Sequence, residues 1–342
     1  MGEKLLQVQD LRVSYHTYAG EVQSVRGVSF AVEKGETLAI VGESGCGKSV
    51  TAKSIMGLIQ DPGEIKPGSR ILYEGRDILK MKKREWRAYR GEQCAMIFQD
   101  ALTSLDPTMR VGKQIAETLR VHGRAGKAEA AEKAVELLRR VGIPNPERRA
   151  QEFPHQFSGG MRQRAMIATA LACDPKLLIA DEPTTALDVT IQAQIIDLMK
   201  QLQRELGAAI VLITHDLGVV AGIAKHICVM YSGKIVERGT SAELFYHPRH
   251  PYTWALLKAV PRLDLKNKQE LATIEGTPPD LLSPPAGCPF CTRCRYCMPV
   301  CKEEMPPDTD FGGGHQAACW LHDPRAPKVD APFVVRKEAG GI

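Results

Sequence analysis

Gly42-Glu43-Ser44-Gly45-Cys46-Gly47-Lys48-Ser49 is the stretch of this 342-residue chain that decides its fold. The apolar run 38–41 before it predicts a buried parallel strand. A helix is predicted after it from apolar residues that share one side, namely Ala52, Ile55, Met56 and Ile59. A glycine-rich loop in this context turns backbone N–H groups toward phosphates, and the helix N-terminus adds its positive dipole end. The chain is therefore predicted to be an α/β P-loop NTPase.

The loop also predicts which residues bind a nucleoside triphosphate. Lys48 supplies a positive charge for the β- and γ-phosphates, and the Ser49 hydroxyl can ligate Mg²⁺. The residues predicted to contact the nucleotide here are Gly42, Ser44, Gly45, Cys46, Gly47, Lys48, Ser49 and Val50.

Two further predicted strands end in polar residues suited to the same chemistry. The apolar run 177–180 ends in Asp181 and Glu182, of which Asp181 can hold Mg²⁺ through its water shell and Glu182 can polarise the attacking water. The run 209–214 leads to His215, which can contact the γ-phosphate and keep Glu182 and the water in line. Because strand ends of a parallel sheet meet at one edge, these side chains are predicted to form one catalytic set.

A second glycine motif, Phe157-Ser158-Gly159-Gly160-Met161-Arg162-Gln163-Arg164, lies too far along the chain to serve the same folded site. It is typical of the cap that one subunit places on a nucleotide held by its partner. Nucleotide-driven dimerisation is therefore predicted. Resemblance of these motifs to the ATP-binding cassette family implies that Ser158, Gly159 and Gly160 are the capping residues.

These motifs together resemble the ATP-binding cassette family over nearly all of residues 5–245. The resemblance implies that Gln99 is the glutamine that senses Mg²⁺, water and the permease. It also implies that Thr185-Ala186-Leu187-Asp188 is a dimer-interface loop, and that Tyr15, or alternatively Tyr18, stacks on adenine. Met161 departs from the family pattern, in which glutamine is commoner at this position.

Composition bounds the class of protein. A hydrophobic content of 44% and a charged content of 25% are typical of a soluble globular protein, and no apolar run approaches the length of a membrane span. The N-terminal residues show no basic-then-apolar signal, so we expect a cytosolic protein or one held at the membrane by partners. A net charge of +5 is too small to indicate nucleic-acid binding.

The chain is longer than one nucleotide-binding domain needs. We predict such a domain over residues 1–245, with a helical subdomain at about 99–170, and a small cysteine-rich region over 246–342. Residues 5–98 are predicted to be rich in strands, 125–141 to form a helix, and 171–240 to alternate between strand and helix.

Six of the ten cysteines lie between residues 288 and 319, in a stretch rich in Pro and Gly with little apolar content. They are Cys288, Cys291, Cys294, Cys297, Cys301 and Cys319. Such a stretch predicts an inorganic core, for which an iron–sulfur cluster is favoured over zinc and over disulfides. The spacing Cys291-x2-Cys294-x2-Cys297-x3-Cys301 is one candidate ligand set, since it matches bacterial ferredoxins, although Lys302 replaces their Pro.

Residues 245–320 resemble the C-terminal region of oligopeptide and dipeptide importer ATPases. The resemblance is carried by His250-Pro251-Tyr252-Thr253, Gly287-Cys288-Pro289-Phe290, Arg293-Cys294, Cys301 and Gly314-His315 leading to Cys319. It implies a structural [4Fe–4S] cluster held by Cys288, Cys294, Cys301 and Cys319, with Cys291 and Cys297 as alternatives.

The function implied is that of an ATPase subunit of a bacterial peptide importer. Gln99–Ile115 resembles the segment that receives the permease. Because the chain has one phosphate loop and no internal repeat, a second ATPase subunit is expected, together with two transmembrane permease subunits and an external solute-binding protein. The protein is then expected at the cytoplasmic face of the inner membrane. Nickel or glutathione import is the alternative, and a soluble ATPase with a redox-sensing cluster is a remote one.

Overall fold

The structure, a computed structural model, describes residues 2–185, 187–259 and 274–332. Its elements in chain order are β1 (Lys4–Thr17), β2 (Gly20–Glu33), β3 (Thr37–Val41), α1 (Lys48–Ile55), β4 (Gly63–Ile65), β5 (Arg70–Tyr73), β6 (Arg76–Asp77), α2 (Lys83–Glu92), β7 (Cys94–Ile97), α3 (Ala101–Ser104), α4 (Val111–Val121), α5 (Lys127–Arg140), α6 (Pro146–Arg149), α7 (Gly159–Leu171), β8 (Leu177–Asp181), α8 (Val189–Leu206), β9 (Ala209–Thr214), α9 (Leu217–Val220), β10 (His226–Tyr231), β11 (Lys234–Thr240), α10 (Ser241–Tyr246), α11 (Pro251–Ala259), α12 (Pro299–Glu303), β12 (Asp308–Asp310) and β13 (Gln316–Ala318). Short 3-10 turns cover Ile78–Lys80, Pro154–Gln156, Cys291–Arg293 and Trp320–His322.

This order follows the sequence-based prediction closely, with one helix shorter than expected. The strand-rich first part, the helical part and the later alternation of strands and helices are all present, and the helix expected at 125–141 is α5. Helix α1, however, ends at Ile55, so Ile59 does not belong to it. Gly57 stops the helix by adopting φ +61°, while the N–H groups of Gly57 and Leu58 bond back to Ser54 and Lys53.

The described residues form two compact units, one from 2–6, 32–37, 73–185 and 187–213 and the other from 7–31, 38–72, 214–259 and 274–332. The predicted domain limits, 1–245 and 246–342, stay a prediction, and residues 260–273 and 333–342 of the second range lie outside the described residues. Among the helices that the structure describes, none has the length and apolar character needed to cross a bilayer.

The first unit is built on a parallel sheet in which β8 lies between β7 and β9. Its pairing runs from Cys94↔Leu177 to Ile97↔Ala180, and from Leu177↔Ala209 to Asp181↔Ile213. All three strands are buried along their whole length, which explains their continuous apolar sequences. Helices α4, α5 and α7 pack against one another in the same unit.

The second unit pairs β3 with β10 in parallel, and β10 continues through β11, β13 and β12 in antiparallel order. Two residue pairs, Glu237↔Ala317 and Arg238↔Gln316, join β11 to β13. The cysteine-rich region is therefore hydrogen-bonded into the sheet that carries the phosphate loop.

A buried carboxylate joins these parts of the second unit. Glu237 on β11 is 1% exposed and accepts hydrogen bonds from the backbone N–H groups of Arg249 (2.7 Å) and His250 (2.9 Å). It also accepts one from His315 Nε2 (2.9 Å). Burial of a carboxylate is costly unless its oxygens are bonded, so these three donors make the site stable.

We expect Glu237→Gln to lower the free energy of unfolding by about 2–4 kcal/mol, because an amide NH₂ replaces one acceptor oxygen and leaves buried donors unpaired. The measurement is urea unfolding followed by tryptophan fluorescence, to which Trp254 and Trp320 of this unit contribute. Glu147→Gln, at an exposed ion pair with Arg139, is the control and should change stability by less than about 0.5 kcal/mol. Equal losses for the two variants would contradict the assigned role of Glu237.

Candidate functional site

The phosphate loop lies between β3 and α1 and has no room for side chains at two of its glycines. A Cβ at Gly42 would lie 2.1 Å from the carbonyl oxygen of Met230, and one at Gly47 would lie 2.3 Å from that of Ser24. Gly45 and Gly47 also have φ of +78° and +101°, a region that other residues rarely adopt. The loop therefore needs glycine for close backbone approach as well as for its turn.

Lys48 begins α1 and is buried, with 4% of its surface exposed. Its ammonium group donates to the carbonyl oxygens of Gly42 (2.8 Å) and Glu43 (2.9 Å). The positive charge is thus held inside the curve of the loop, next to the helix N-terminus, where phosphate groups are favoured.

Glu43 of this loop is held by residues that the sequence analysis did not assign to the site. Its N–H donates to the Tyr252 hydroxyl (2.9 Å), and its carboxylate forms two hydrogen bonds with Arg293 (2.6 and 3.0 Å). Both partners lie in the C-terminal region, more than two hundred positions away in sequence. Only the presence of Tyr252 and Arg293 in the two family-like segments could have drawn attention to them.

In the first unit, the structure brings Gln99 and Glu182 together. Gln99 Nε2 donates to Glu182 Oε2 (3.1 Å), and the Thr185 hydroxyl donates to the same oxygen (2.9 Å). Glu182 follows the last residue of β8 and has φ +48°, a conformation that costs on the order of 1–3 kcal/mol. Its N–H donates to the carbonyl of Ile213 at the end of β9 (2.9 Å), which holds the strained residue in place.

The other predicted residues lie at strand ends or on the surface. Asp181 is the last residue of β8 and is buried, whereas His215 follows β9 and is exposed. Tyr15 is half-buried on β1, and burial raises the pKa of its hydroxyl. Tyr18 is fully exposed in the turn between β1 and β2. A ring that is already half-buried on a strand suits stacking better than one at a turn, which favours Tyr15.

The second glycine motif forms the N-terminus of α7. Ser158 caps this helix by accepting from the N–H of Met161 (3.3 Å), and it is exposed together with Gly159. A Cβ at Gly160 would lie 2.9 Å from Ile191 of α8, so the helix start packs closely there. Ala186 of the predicted dimer-interface loop lies outside the described residues.

The six clustered cysteines are free thiols that lie close together at the end of the second unit. The pKa of Cys288 is raised to about 12, first by burial and then by the nearby sulfurs of Cys319, Cys301 and Cys294. The pKa of Cys319 is raised to about 12 by burial and then by Cys294 and Cys301. The pKa of Cys294 is raised to about 11 by burial, with contributions from Cys297, Cys301 and Cys291.

Every pair among Cys288, Cys294, Cys301 and Cys319 therefore interacts electrostatically. Their backbone is also compact, since Cys288 N–H donates to the carbonyl of Cys301 (2.8 Å) and a Cβ at Gly287 would lie 2.3 Å from that oxygen. Within the ranges that the structure describes, no group of three or more His, Cys, Asp or Glu side chains is arranged to hold a metal ion.

Comparison with known sequences identifies the family. Residues 25–185 match the family described as ABC transporter, and residues 236–301 match the oligopeptide/dipeptide transporter C-terminal region. The chain is 56% identical over 334 residues to the oligopeptide transport ATP-binding protein OppD of Bacillus subtilis (strain 168), which covers 97% of this chain and 93% of that protein. The chain belongs to the family of oligopeptide and dipeptide transport ATP-binding proteins. ATP and Mg²⁺ are the ligands expected for this ATPase family.

Other members of the family and solved ABC cassettes agree with this placement. The dipeptide transport ATP-binding protein DppD of Lactococcus lactis subsp. cremoris (strain MG1363) is 56% identical over 328 residues, 96% of this chain and 93% of that protein. The dimeric post-hydrolysis structure of the cassette MJ0796 bound to ADP and Pi superposes with a TM-score of 0.62 at 25% identity, over 69% of this chain and 98% of that one. The cbiO1 structure from Clostridium perfringens gives 0.60 at 28% identity, over 71% and 91%.

We expect Lys48→Ala to weaken binding of a fluorescent ATP analogue by about tenfold or more, because the ammonium group inside the loop is lost. The matched control is Lys53→Ala, which removes an exposed lysine from the same helix and should leave the affinity unchanged. Wild-type affinity in Lys48→Ala would remove the assignment of this loop to phosphate binding.

Proposed function

We propose that this protein hydrolyses ATP to power the import of oligopeptides or dipeptides through a membrane permease. The observation that carries the proposal is 56% identity to peptide-transport ATP-binding proteins along almost the whole chain. The bonding of Gln99 and Thr185 to the Glu182 carboxylate supports an active hydrolytic site. Peptides are favoured over nickel and glutathione because the relatives above are named for peptide transport.

In the proposed reaction, the phosphate loop and Lys48 bind the triphosphate, and Glu182 takes a proton from the attacking water. Gln99 and Thr185 direct the Glu182 carboxylate, since both donate to Oε2 at 3.1 and 2.9 Å. Mg²⁺, held through Ser49, Gln99 and the water shell of Asp181, would neutralise charge on the phosphates. His215 contacts the γ-phosphate, and Tyr15 stacks on the adenine.

The proposed working unit is a heterodimer with a second ATPase subunit. The exposed start of α7, formed by Ser158 and Gly159 with Gly160, suits it to cap a nucleotide bound by that subunit. Two permease subunits and an external solute-binding protein complete the importer, with this chain at the cytoplasmic face of the inner membrane. ATP closes the dimer, and hydrolysis reopens it. The peptide acts through its different affinities for the two permease states.

The segment after Gln99 offers a defined surface for the permease. The Gln114 side chain bonds to both the N–H and the carbonyl of Asp106 (3.0 and 2.9 Å) and to the carbonyl of Met109 (2.8 Å). Phe98, which directly precedes Gln99, is 40% exposed. A loop fixed by side-chain hydrogen bonds, in a segment that follows an exposed aromatic residue, is suited to receive a permease helix.

We expect Glu182→Gln to keep ATP affinity while hydrolysis falls by about 10²–10⁴-fold, because an amide cannot accept the proton. The variant should accumulate as an ATP-bound dimer with its partner subunit and should not drive peptide uptake into vesicles that contain the permease and binding protein. Glu205→Gln, an exposed glutamate on α8, is the control and should behave as wild type. Near-normal hydrolysis by Glu182→Gln in the presence of the partner would refute the assigned base.

We further propose a [4Fe–4S] cluster held by Cys288, Cys294, Cys301 and Cys319. The close packing of Cys288 against Cys301, whose carbonyl accepts from the Cys288 N–H (2.8 Å), supports this set, and a metal would bind the deprotonated sulfurs. When bound, a cluster supplies four cross-links to a region with few regular elements.

One sulfur contact, that of Cys297, favours this set over the ferredoxin-like alternative with Cys291 and Cys297. The Cys297 thiol donates to the carbonyl of Met298 (3.6 Å), which requires its proton. Cys301 Sγ instead accepts from the N–H of Met298 (3.5 Å), as a ligating thiolate does. Cys301 belongs to both sets, so Cys297 is the residue whose contact discriminates between them.

Iron and acid-labile sulfide measured on anaerobically purified protein test both the presence of the cluster and its set of cysteine ligands. We expect about four of each per chain in the wild type and in Cys297→Ser, and a large loss in Cys288→Ser. Loss in Cys297→Ser with retention in Cys288→Ser would establish the ferredoxin-like set. Zinc without sulfide would refute the cluster and leave the ATPase proposal untouched.

A further inference from the structure

Arg293 lies in the 3-10 turn that carries Cys291, and its side chain is only 4% exposed. Each of its five N–H donors has an acceptor. Nε donates to the carbonyl of Glu275 (2.9 Å), and Nη2 donates to that of Ile274 (2.8 Å). Nη1 donates to the Tyr231 hydroxyl (3.1 Å), and the remaining donors bind the Glu43 carboxylate (2.6 and 3.0 Å). The guanidinium is therefore locked in one orientation.

Glu43, which Arg293 binds, has a hydrogen-bond partner at each of its polar groups. Besides the carboxylate, the Glu43 N–H donates to Tyr252, and the Glu43 carbonyl accepts from Lys48 (2.9 Å). Lys48 is the cation that the phosphates require, so the position of Glu43 sets the position of the Lys48 ammonium. A direct chain of contacts thus leads from Arg293 to the phosphate-binding charge.

The aromatic residues around this chain of contacts make it rigid. Tyr252 is fully buried, and its ring packs against those of Tyr231 (4.6 Å) and Phe290 (5.3 Å). Phe290 directly precedes the turn with Cys291 and Arg293. Residues 43–46 of the loop also line a cavity of about 290 Å³, together with Tyr231, Ser232 and residues 278–281. The C-terminal region therefore reaches the phosphate loop through two hydrogen-bonding side chains and through this cavity lining.

Arg293 keeps its positive charge beside the Glu43 carboxylate. Burial lowers the pKa of Arg293, but its hydrogen bonds to Glu43 and Tyr231 outweigh this and hold the pKa above its ordinary value. Removing the guanidinium would leave the Glu43 carboxylate, 26% exposed, without its cation and next to the site of the triphosphate.

We propose that Arg293 is a positioning residue of the phosphate loop, which presets Glu43 and Lys48 for the triphosphate and makes ATP affinity depend on the cysteine module, residues 288–319. The proposal rests on the nucleotide-binding role of the loop and does not require the cluster. Because Arg293 sits between Cys291 and Cys294, any change that unfolds this module also releases Glu43. ATP binding in turn favours the folded module, since coupling between two sites is reciprocal.

The test is the affinity of the full-length chain for a fluorescent ATP analogue in Arg293→Gln, Glu43→Gln and the double variant. Arg293→Gln should weaken binding by about tenfold, because an unpaired carboxylate repels phosphate and the loop is no longer preset. Glu43→Gln should stay within about threefold of wild type, since its amide oxygen can still accept from Arg293. The double variant should bind more tightly than Arg293→Gln.

That rescue distinguishes positioning from a purely structural role. If Arg293 only bonded the backbone at 274 and 275, a change at residue 43 would not restore affinity, and the double variant would bind as weakly as Arg293→Gln. The proposal would be overturned if the double variant and Arg293→Gln had equal affinity for the analogue, or if Arg293→Gln bound it as tightly as the wild type. In the assembled transporter, Arg293→Gln should raise the KM for ATP about tenfold and leave kcat within about twofold, because Arg293 does not reach the reacting atoms.

Further variants cover the remaining outcomes. If Arg293→Gln fails to fold, Arg293→Lys and Tyr252→Phe replace it. The lysine lacks the two-pronged geometry, and the phenylalanine lacks only the oxygen that accepts from Glu43. Wild-type affinity in both would overturn the proposal. Arg325→Gln with Asp323→Asn, an exposed pair in the same region, should change nothing. Unchanged affinity in Lys48→Ala would instead refute the nucleotide site itself.

Discussion

Crowding around the phosphate loop is the constraint on which the rest of the structure depends. Carbonyl oxygens of Met230 and Ser24 come so close to Gly42 and Gly47 that no side chain fits at either position. The conformation of the loop is therefore restricted by the backbone of two neighbouring segments, independently of any ligand. Successive backbone N–H groups in such a loop form a concavity that can bind an anion.

Features with a local physical cause could be predicted from the sequence. The fully buried strands β7, β8 and β9 follow from uninterrupted apolar runs, and a polar residue after such a strand must lie at the sheet edge. Gln99 entered through family resemblance, and its hydrogen bond to Glu182 is seen only in the structure. Thr185 was not assigned a catalytic contact, because its bond depends on the left-handed turn at Glu182, which no spacing rule reveals.

Contacts between distant segments could not be predicted. The pairing of Glu43 with Arg293 spans 250 positions, and that of Glu237 with His315 spans 78. A charged residue in sequence is most often solvated, so nothing marks these four as partners of one another. The end of α1 was missed for a different reason: the apolar spacing continues to Ile59, but the left-handed Gly57 overrides it.

Three carboxylates of the structure differ in the donors that hold them. Glu43 is bonded by a guanidinium and Glu237 by a histidine with two backbone amides. Within its own unit, Glu182 is instead held by a side-chain amide and a hydroxyl. A guanidinium makes charge-assisted hydrogen bonds, which are stronger than those of the neutral donors at Glu182. Glu43 is thereby fixed beside Lys48, whereas under the proposed function Glu182 is directed without a charged partner.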